Sequence, residues 1–349
     1  MPVGAGPRVS IVILNWNSWE DTIVCLDSVF RSTYPAYDVV LVDNGSRDGS
    51  VGRIRDFCQG LIAPRSKFGG ASTYGKPITV KEYSARDFPR DSRPKTPMSC
   101  RELVILRNET NRGFDEGCNV GMEFALSSLS PDYVMLLNND TYVLPDCLSR
   151  LVKTAERLPE IAMVGPKICY YQEPNIVWAA GGRIRLFTGR IGNKGNGRLS
   201  RDYEGIQYAD YVTGCAVMVR REVLDDIGLL DTRYFIYYED SDWGLQARRH
   251  GRVCAVDCSA VILHKSAQSP VGRGGLGYYY FPRNLVLFMS KNARWYHLPL
   301  FIMVFVARYS TLFLFNLATG NFNRCRNILH AVTDLVRRAS GQNPRTVQL

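Results

Sequence analysis

The sequence predicts the α/β fold class, with a mostly parallel sheet flanked by helices and a helical tail at the C-terminus. Two observations support this prediction. Short apolar runs alternate with helix-forming segments from Val9 onward, and that alternation is typical of parallel βαβ units. Several of the runs end abruptly in Asn, Asp or Ser. Ligands of open parallel sheets bind at the carboxyl ends of the strands, so the pattern also predicts a binding crevice there.

Four strands with polar ends are predicted in the first half of the chain. They cover residues 9–14, 39–42, 103–106 and 133–137, with helices at 19–30 and from about Gly113. The polar residues that follow these strands are Asn15, Asn17, Asp43, Asn44, Ser46, Asn111, Asn138, Asn139 and Asp140. After a single strand such residues can simply form a turn. At four successive strand ends they predict one lined crevice.

The regular alternation is interrupted between Gly60 and Cys100. This segment is rich in Pro, Gly, Ser, Lys and Arg, and residues 80–83 form its only plausible strand. We expect an inserted, partly mobile excursion here. The predicted organisation is therefore a sheet-containing domain over 1–292, which includes residues 60–100 as an insertion, and a C-terminal helical region over 293–349.

The second half of the chain contains an acidic cluster between aromatic residues. After a predicted strand at 211–219 and a helix at 221–227, Glu239, Asp240 and Asp242 follow two tyrosines and precede Trp243. Neighbouring carboxylates repel one another, so a cation, a helix N-terminus or a proton transfer is needed to favour them. The acids could simply cap a solvated helix at 241–249, but the flanking aromatic residues favour a sugar-binding platform.

His264 follows a predicted strand at 260–263. A single histidine in this position fits either a structural role or a metal ligand, and the sequence leaves both open.

The charge distribution favours a membrane partner over a nucleic acid. The chain carries a net charge of +10, and residues 298–349 contribute six arginines against one acid. This basic tail overlaps the most apolar stretch, residues 298–319, as expected for binding to an anionic membrane surface. Because Pro299, Arg308 and Asn316 interrupt that stretch, three placements remain open: an interfacial helix, which we favour, a membrane span, or a packed core helix.

The N-terminus and the cysteines predict a cytoplasmic protein with reduced thiols. No basic segment followed by an apolar run precedes the first strand, so we expect no secretory signal. The ten cysteines form no CxxC pair, which disfavours a disulfide framework and structural zinc.

In combination, the motifs resemble family 2 glycosyltransferases with the GT-A fold, particularly the rhamnosyltransferase-like and galactofuranosyltransferase-like branch. The resemblance covers roughly Val9 to Asn292. Residues 13–17 and 42–46 resemble the nucleotide-recognition strands, and 111–119 resembles the family's N-x-G-F-x-x-G-x-N segment. Asn138-Asn139-Asp140 occupies the place of the DxD motif with only its last acid retained, and 238–243 resembles the acidic motif.

The resemblance implies transfer of a sugar, with inversion, from a dTDP- or UDP-linked donor such as rhamnose or galactofuranose to a saccharide or lipid-linked saccharide. Asp240 would act as the catalytic base with Glu239 beside it, Asp140 and His264 would hold Mn²⁺ or Mg²⁺, and Asp242 and Trp243 would contact the acceptor. The implied nucleotide-binding residues are Asn15, Asn17, Asp43, Asn44, Ser46, Asn111, Gly113, Phe114, Gly117, Asn119, Asn138 and Asn139. Tyr280-x-x-Arg283-Asn284 also fits the branch, without a role that chemistry assigns.

Two other classes of protein share part of this pattern. A Rossmann oxidoreductase would carry G-x-G-x-x-G after the first strand, and residues 15–18 contain no glycine. A sugar-nucleotide-binding protein without activity stays open, although a base opposite the donor serves no purpose in simple binding. The expected partners are a nucleotide-diphosphate sugar, a saccharide acceptor and the cytoplasmic face of a membrane, and not a nucleic acid.

Overall fold

The computed structural model describes residues 6–68, 74–88, 102–266 and 275–339. Its helices and strands are, in chain order, β1 (Val9–Asn15), α1 (Trp19–Phe30), β2 (Tyr37–Asp43), α2 (Ser50–Gln59), β3 (Thr79–Ser84), β4 (Glu102–Arg107), α3 (Gly113–Phe124), β5 (Tyr133–Asn138), β6 (Thr141–Val143), α4 (Cys147–Arg157), β7 (Ile161–Tyr170), β8 (Val177–Ala179), β9 (Gly182–Arg185), β10 (Arg190–Asn193), β11 (Ile206–Ala209), β12 (Ala216–Arg220), α5 (Arg221–Ile227), α6 (Glu239–Arg249), β13 (Val253–His264), α7 (Gly277–Asn292), α8 (Leu298–Ala318) and α9 (Phe322–Ala339).

One large mixed sheet organises the chain. Its strand order is β11-β13-β7-β12-β5-β1-β2-β4-β3, with β6 paired to β13 and β8 to β7. The five strands from β5 to β3 are mutually parallel, so their carboxyl ends share one edge. β12 enters antiparallel between β5 and β7 and pairs Ala216 with Leu137. The residues that precede β12 therefore lie at the same edge as the end of β5.

The core has two apolar layers, one on each face of the sheet. Alternate residues of β1 point to opposite faces, so Ile11 and Ile13 pack with α1, α2 and α4 while Val12 packs with α3. A Cβ added at Gly121 of α3 would lie 2.3 Å from Cγ1 of Val12. Close approach of α3 to the sheet therefore depends on the missing side chain at this position.

Several predicted elements are confirmed and others need correction. The predicted bounds of α1 and α5 match the structure. β3 lies inside the predicted excursion and pairs in parallel with β4, while residues 69–73 and 89–101, on which the predicted mobility partly falls, lie outside the described residues. The predicted strand over 211–219 is wrong in its first half because Thr213–Cys215 turns the chain before β12. The elements α2, β6, α4, β8 and β11 were not predicted.

The C-terminal region is helical as predicted. Residues 295–318 form a helix long and apolar enough to cross a membrane, with a mean hydropathy of 1.9. Its inner residues Phe301 and Tyr309 pack on α7, whereas large apolar side chains such as Met303 and Phe315 are more than half exposed. Only 11% of the most apolar 18-residue stretch of this helix is buried. A packed core helix therefore does not describe this segment.

Candidate active site

A hydrogen-bonded network joins the carboxyl ends of β1 and β2. Asn15 is fully buried, and its Nδ2 donates to Asp43 Oδ1 at 2.9 Å and to Ser46 Oγ at 3.1 Å. The Ser46 amide donates to Asp43 Oδ2 at 3.2 Å, so both carboxylate oxygens are held. Asn17 is exposed at the rim and accepts the Arg47 amide. Asn15 therefore orients Asp43 from the interior of the protein and does not itself face a ligand.

Asn44 connects this network to the start of α3. Its Nδ2 donates to Asn111 Oδ1 and to the Gly113 carbonyl, both at 2.9 Å. Its Oδ1 accepts the Arg112 amide at 3.1 Å and the Asn108 side chain at 3.0 Å. The strand ends of β1, β2 and β4 are thus brought together as predicted, with Asn111 on the partly exposed side.

Asp140 and His264 meet at the end of β5. His264 ends β13, which pairs with β6 so that His264 lies opposite Thr141. The Nε2 atom of His264 is 3.1 Å from Asp140 Oδ1, and the Trp178 ring packs edge-on at 4.5 Å. Nδ1 of this buried imidazole has no hydrogen-bond partner among the described residues. A carboxylate beside a buried imidazole nitrogen is a donor set that suits a divalent cation.

The chain supplies only part of a complete metal site. The described residues contain no group of three or more His, Cys, Asp or Glu side chains arranged to hold a metal. A cation held by Asp140 and His264 would need further oxygen ligands from water or from a bound phosphate. Mg²⁺-type sites commonly combine one or two protein ligands with substrate phosphates in this way.

The short segment before β12 connects Asp240 to the carboxyl end of β5. Its Oδ2 accepts the Gly214 amide at 3.1 Å, and its Oδ1 accepts the Ser241 amide at 2.6 Å. The carbonyl of Cys215, the residue after Gly214, accepts the Asn138 amide at 2.8 Å. The segment before β12 therefore holds Asp240 of α6 on one side and the end of β5 on the other.

Three acidic side chains cluster where α3 meets α6. Asp115 is fully buried and Glu239 is 7% exposed. Burial raises the pKa of Asp115 well above its usual range. Burial, followed by the charges of Asp115 and Asp240, does the same for Glu239. Burial also raises the pKa of Asp240, against hydrogen bonds from Gly214 and Ser241 that favour its charged form.

Asp115 was missed by the sequence analysis. Its signal was its place in the segment 111–119, two residues after Gly113 and four before Asn119, on a helix face rich in small residues. A helical spacing of four puts Asp115 and Asn119 on the same face. Since Asn119 belonged to a motif expected in the site, the acid beside it on that face was a candidate.

The loop that leads into α6 has an unusual backbone. Phe235, Tyr237 and Tyr238 have φ angles of 69°, 71° and 73°. For bulky residues this left-handed region costs about 1–3 kcal/mol each, and it persists only where surrounding contacts impose it. The Phe235 carbonyl accepts the Phe114 amide at 2.7 Å, and Tyr237 stacks on Phe281 at 4.3 Å. The acidic pair at 239–240 is therefore delivered by a strained and tightly held loop.

The structure corrects the expected roles of Asp242 and Trp243. Trp243 is 3% exposed, and its Nε1 donates to the Gly228 carbonyl at 3.0 Å. A ring buried in the core cannot stack on a sugar. Asp242 accepts the Lys291 ammonium at 2.5 Å and the Asn292 amide at 2.8 Å. Both of its oxygens thus tie α6 to α7 instead of facing an acceptor.

Two residues expected to bind the nucleotide also have structural roles. Asn119 exchanges two hydrogen bonds with the backbone of Leu230, at 2.8 and 3.0 Å. A Cβ at Gly117 would lie 2.6 Å from Cδ1 of Leu14, so this glycine allows α3 to approach β1. Both residues are buried and fix the position of α3.

The chain is similar to a known protein family and to several curated proteins. The family described as "Glycosyl transferase family 2" matches residues 10–71 and 91–228. A low-salt glycan biosynthesis hexosyltransferase, Agl10 of Haloferax volcanii, is 22% identical over 182 residues, which cover 50% of this chain and 56% of the relative. An N-acetylglucosaminyl-diphospho-decaprenol L-rhamnosyltransferase of Mycobacterium tuberculosis is 23% identical over 184 residues, covering 48% and 59%. The chain thus spans a little over half the length of these curated relatives.

Solved structures show the same fold. A mannosyltransferase of Pyrobaculum calidifontis in complex with GDP-Man and Mn²⁺ superposes with a TM-score of 0.52 at 15% identity, over 97% of this chain and 77% of that one. GalNAc-T7 with UDP, GalNAc and Mn²⁺ superposes with a TM-score of 0.51 at 14% identity, over 74% and 44%. The predicted GT-A fold is therefore confirmed.

Proposed function

The chain belongs to glycosyl transferase family 2, and from this premise we propose that it transfers a sugar from a nucleotide-diphosphate donor to an acceptor hydroxyl with inversion. The donor class we propose is UDP- or dTDP-linked, with rhamnose or galactofuranose as the transferred sugar. The observation that carries the proposal is the meeting of three features at one sheet edge: the Asp43 network, the Asp140/His264 pair and Asp240.

The nucleoside would bind over the ends of β1, β2 and β4. Asp43 is held by Asn15 and Ser46, which leaves its remaining acceptor capacity for a base or ribose donor. Asn17 and Asn111 lie at the more exposed positions of this network. The buried residues Asn15 and Asn44 would act by fixing the geometry of the pocket before the donor arrives.

Asp140 and His264 are the residues that would hold a divalent cation, Mn²⁺ or Mg²⁺. When bound, such a cation offsets the negative charge that develops on a departing diphosphate. The Mn²⁺ in both superposed structures supports this proposal. The contribution of the chain itself is to keep the carboxylate and imidazole side by side and to shield the imidazole behind Trp178.

Asp240 is the proposed catalytic base, which would accept the proton of the attacking hydroxyl. The amides of Gly214 and Ser241 orient its carboxylate, and its raised pKa brings it closer to the working pH, where general bases are most effective. Glu239 would support this function from the buried side. A single base is sufficient because inversion requires no covalent intermediate.

The proposed acceptor is a saccharide or lipid-linked saccharide at the cytoplasmic face of a membrane. The glycan and decaprenol-linked relatives support this choice, as does the exposed apolar surface of α8. We also propose that residues 1–292 form the catalytic unit and 293–349 the membrane-binding region. An interfacial or spanning α8 would place the crevice near lipid-linked acceptors.

Calorimetric titration with UDP, dTDP and GDP, with and without Mn²⁺, tests the donor site. The variants to compare are Asp140→Ala and, as a matched control, Asp226→Ala, which removes an exposed carboxylate on α5. We expect one nucleotide to bind with Mn²⁺, and this binding to be lost in Asp140→Ala and kept in the control. If no nucleotide binds, or if the two variants behave alike, the proposed function fails.

A further inference from the structure

Two adjacent polar residues are buried on α7 without a role in the proposed site. Arg283 is 5% exposed and Asn284 is completely buried. Burial of an arginine and an amide is costly unless hydrogen bonds compensate for the lost water. They belong to the segment 280–284, to which the sequence analysis assigned no function. Their contacts explain why these polar groups are inside the protein.

Both side chains bind the loop that precedes Glu239 and Asp240. Asn284 Nδ2 donates to three backbone carbonyls, at 2.9, 2.7 and 3.2 Å. Arg283 donates to two carbonyls, at 2.9 and 3.3 Å, and its guanidinium also donates to the Asn284 side-chain oxygen. The accepting carbonyls belong to Arg233, Tyr234, Ile236 and Tyr237. Two side chains of one helix therefore bind four carbonyls of one short loop.

The backbone of this loop is strained, so contacts from neighbouring elements are needed for it to persist. Three of its aromatic residues, Phe235, Tyr237 and Tyr238, have left-handed φ angles. Bulky residues avoid this region because the side chain crowds the backbone. Relaxation of the loop would move the first turn of α6, because the Tyr238 carbonyl accepts the Asp242 amide at 2.9 Å. Asp240 lies in that turn and would lose its alignment with the Gly214 amide.

We propose that Arg283 and Asn284 are positioning residues, which hold the strained loop over 233–238 so that Asp240 faces the acceptor. The inference depends on the proposed function, in which Asp240 is the base. Neither residue has the exposure needed to contact a substrate. Their effect on transfer therefore passes through the loop, and they should alter turnover without altering donor binding.

The first test is Asn284→Ala, with Gln207→Ala as the matched control. Gln207 lies on β11, outside the proposed site and the tail, and its side-chain amide also donates a hydrogen bond to a backbone carbonyl, that of Glu204 at 2.8 Å. In the holoenzyme we expect kcat to fall at least about tenfold in Asn284→Ala, with the donor KM and the nucleotide Kd within about twofold of wild type. Gln207→Ala should leave kcat unchanged.

The pH profile of kcat provides a readout that simple loss of stability would not change. A loosened loop admits water to Asp240, which removes part of the burial that raises its pKa. The acidic limb of the profile should therefore move to lower pH, by at least about half a pH unit, in Asn284→Ala and in the milder Arg283→Lys. The titratable groups that face Asp240 are Asp115, Tyr211, Cys215, Tyr238 and Glu239, and they are the same in each variant.

Three outcomes would overturn the inference. The first is a kcat in Asn284→Ala within twofold of wild type. The second is a loss of nucleotide affinity in Asn284→Ala as large as its loss of kcat. The third is an unchanged pH limb in Arg283→Lys, which covers the case that Asn284→Ala does not fold. If the wild type transfers no sugar, the proposed function fails independently of this inference. Hydrogen exchange then tests whether Arg283 and Asn284 hold the loop. In that case the inference requires the Phe114 amide, which donates to the Phe235 carbonyl, to exchange faster in Arg283→Lys than in the wild type.

Discussion

The buried carboxylate Asp115 should make the stability of this protein fall as the pH rises. It lies on α3 with no exposed surface, and burial raises its pKa well above the ordinary value. Between the ordinary and the raised pKa, the folded chain holds a proton that the unfolded chain has released. The stabilisation is therefore fully present below the unfolded pKa and is lost as the pH rises through the folded one.

The change that isolates this effect is Asp115→Asn, which keeps the shape of the side chain but cannot ionise. For each pH unit between the unfolded and the folded pKa of Asp115, the wild type loses about 1.4 kcal/mol of unfolding free energy. The variant should gain stability relative to the wild type as the pH rises from 5 towards 8, whatever its stability at pH 5. Urea unfolding followed by circular dichroism at each pH measures this difference, in one buffer with a fixed concentration of detergent.

The control is Asp226→Asn, which neutralises an exposed carboxylate and should track the wild type at every pH. The reasoning would be refuted if Asp115→Asn and Asp226→Asn showed the same dependence on pH. It would also be refuted if Asp115→Asn lost stability relative to the wild type as the pH rose, because that result requires a lowered pKa in the folded state.

Three further predictions follow from the site and the tail. Asp240→Asn should lower kcat by about 10²–10⁴-fold in an assay of nucleotide release and leave the calorimetric Kd for the nucleotide unchanged. Gly113→Ala should lower the unfolding free energy by about 2–4 kcal/mol in urea, since its Cβ would lie 2.5 Å from the Phe235 ring at a φ of +87°. Phe315→Glu, at a position 61% exposed on α8, should reduce co-sedimentation with anionic vesicles relative to Asn327→Ala, because it puts a charge in the apolar face.

Much of the crevice could be predicted because its information is local. The apolar run and the polar residues after it are adjacent in sequence, so the positions of Asp43 and Asp140 at strand ends followed from periodicity alone. Chain direction then required all the parallel strands to end at one edge. The predicted bounds of α1 and α5 were also correct, since helix ends depend largely on neighbouring residues.

The sequence by itself thus determined the fold class, the edge of the sheet where the candidate site lies and the presence of the acidic cluster at α6. Tertiary structure alone decided which of those residues face the crevice. Trp243 turned into the core, Asp242 bound Lys291, and Asp115 became buried beside Glu239, because each outcome depends on an element distant in sequence. The antiparallel entry of β12 beside β5 brought Asp240 to the strand ends. Spacing along the chain carries no information about such a neighbour, which exists only once the sheet has formed.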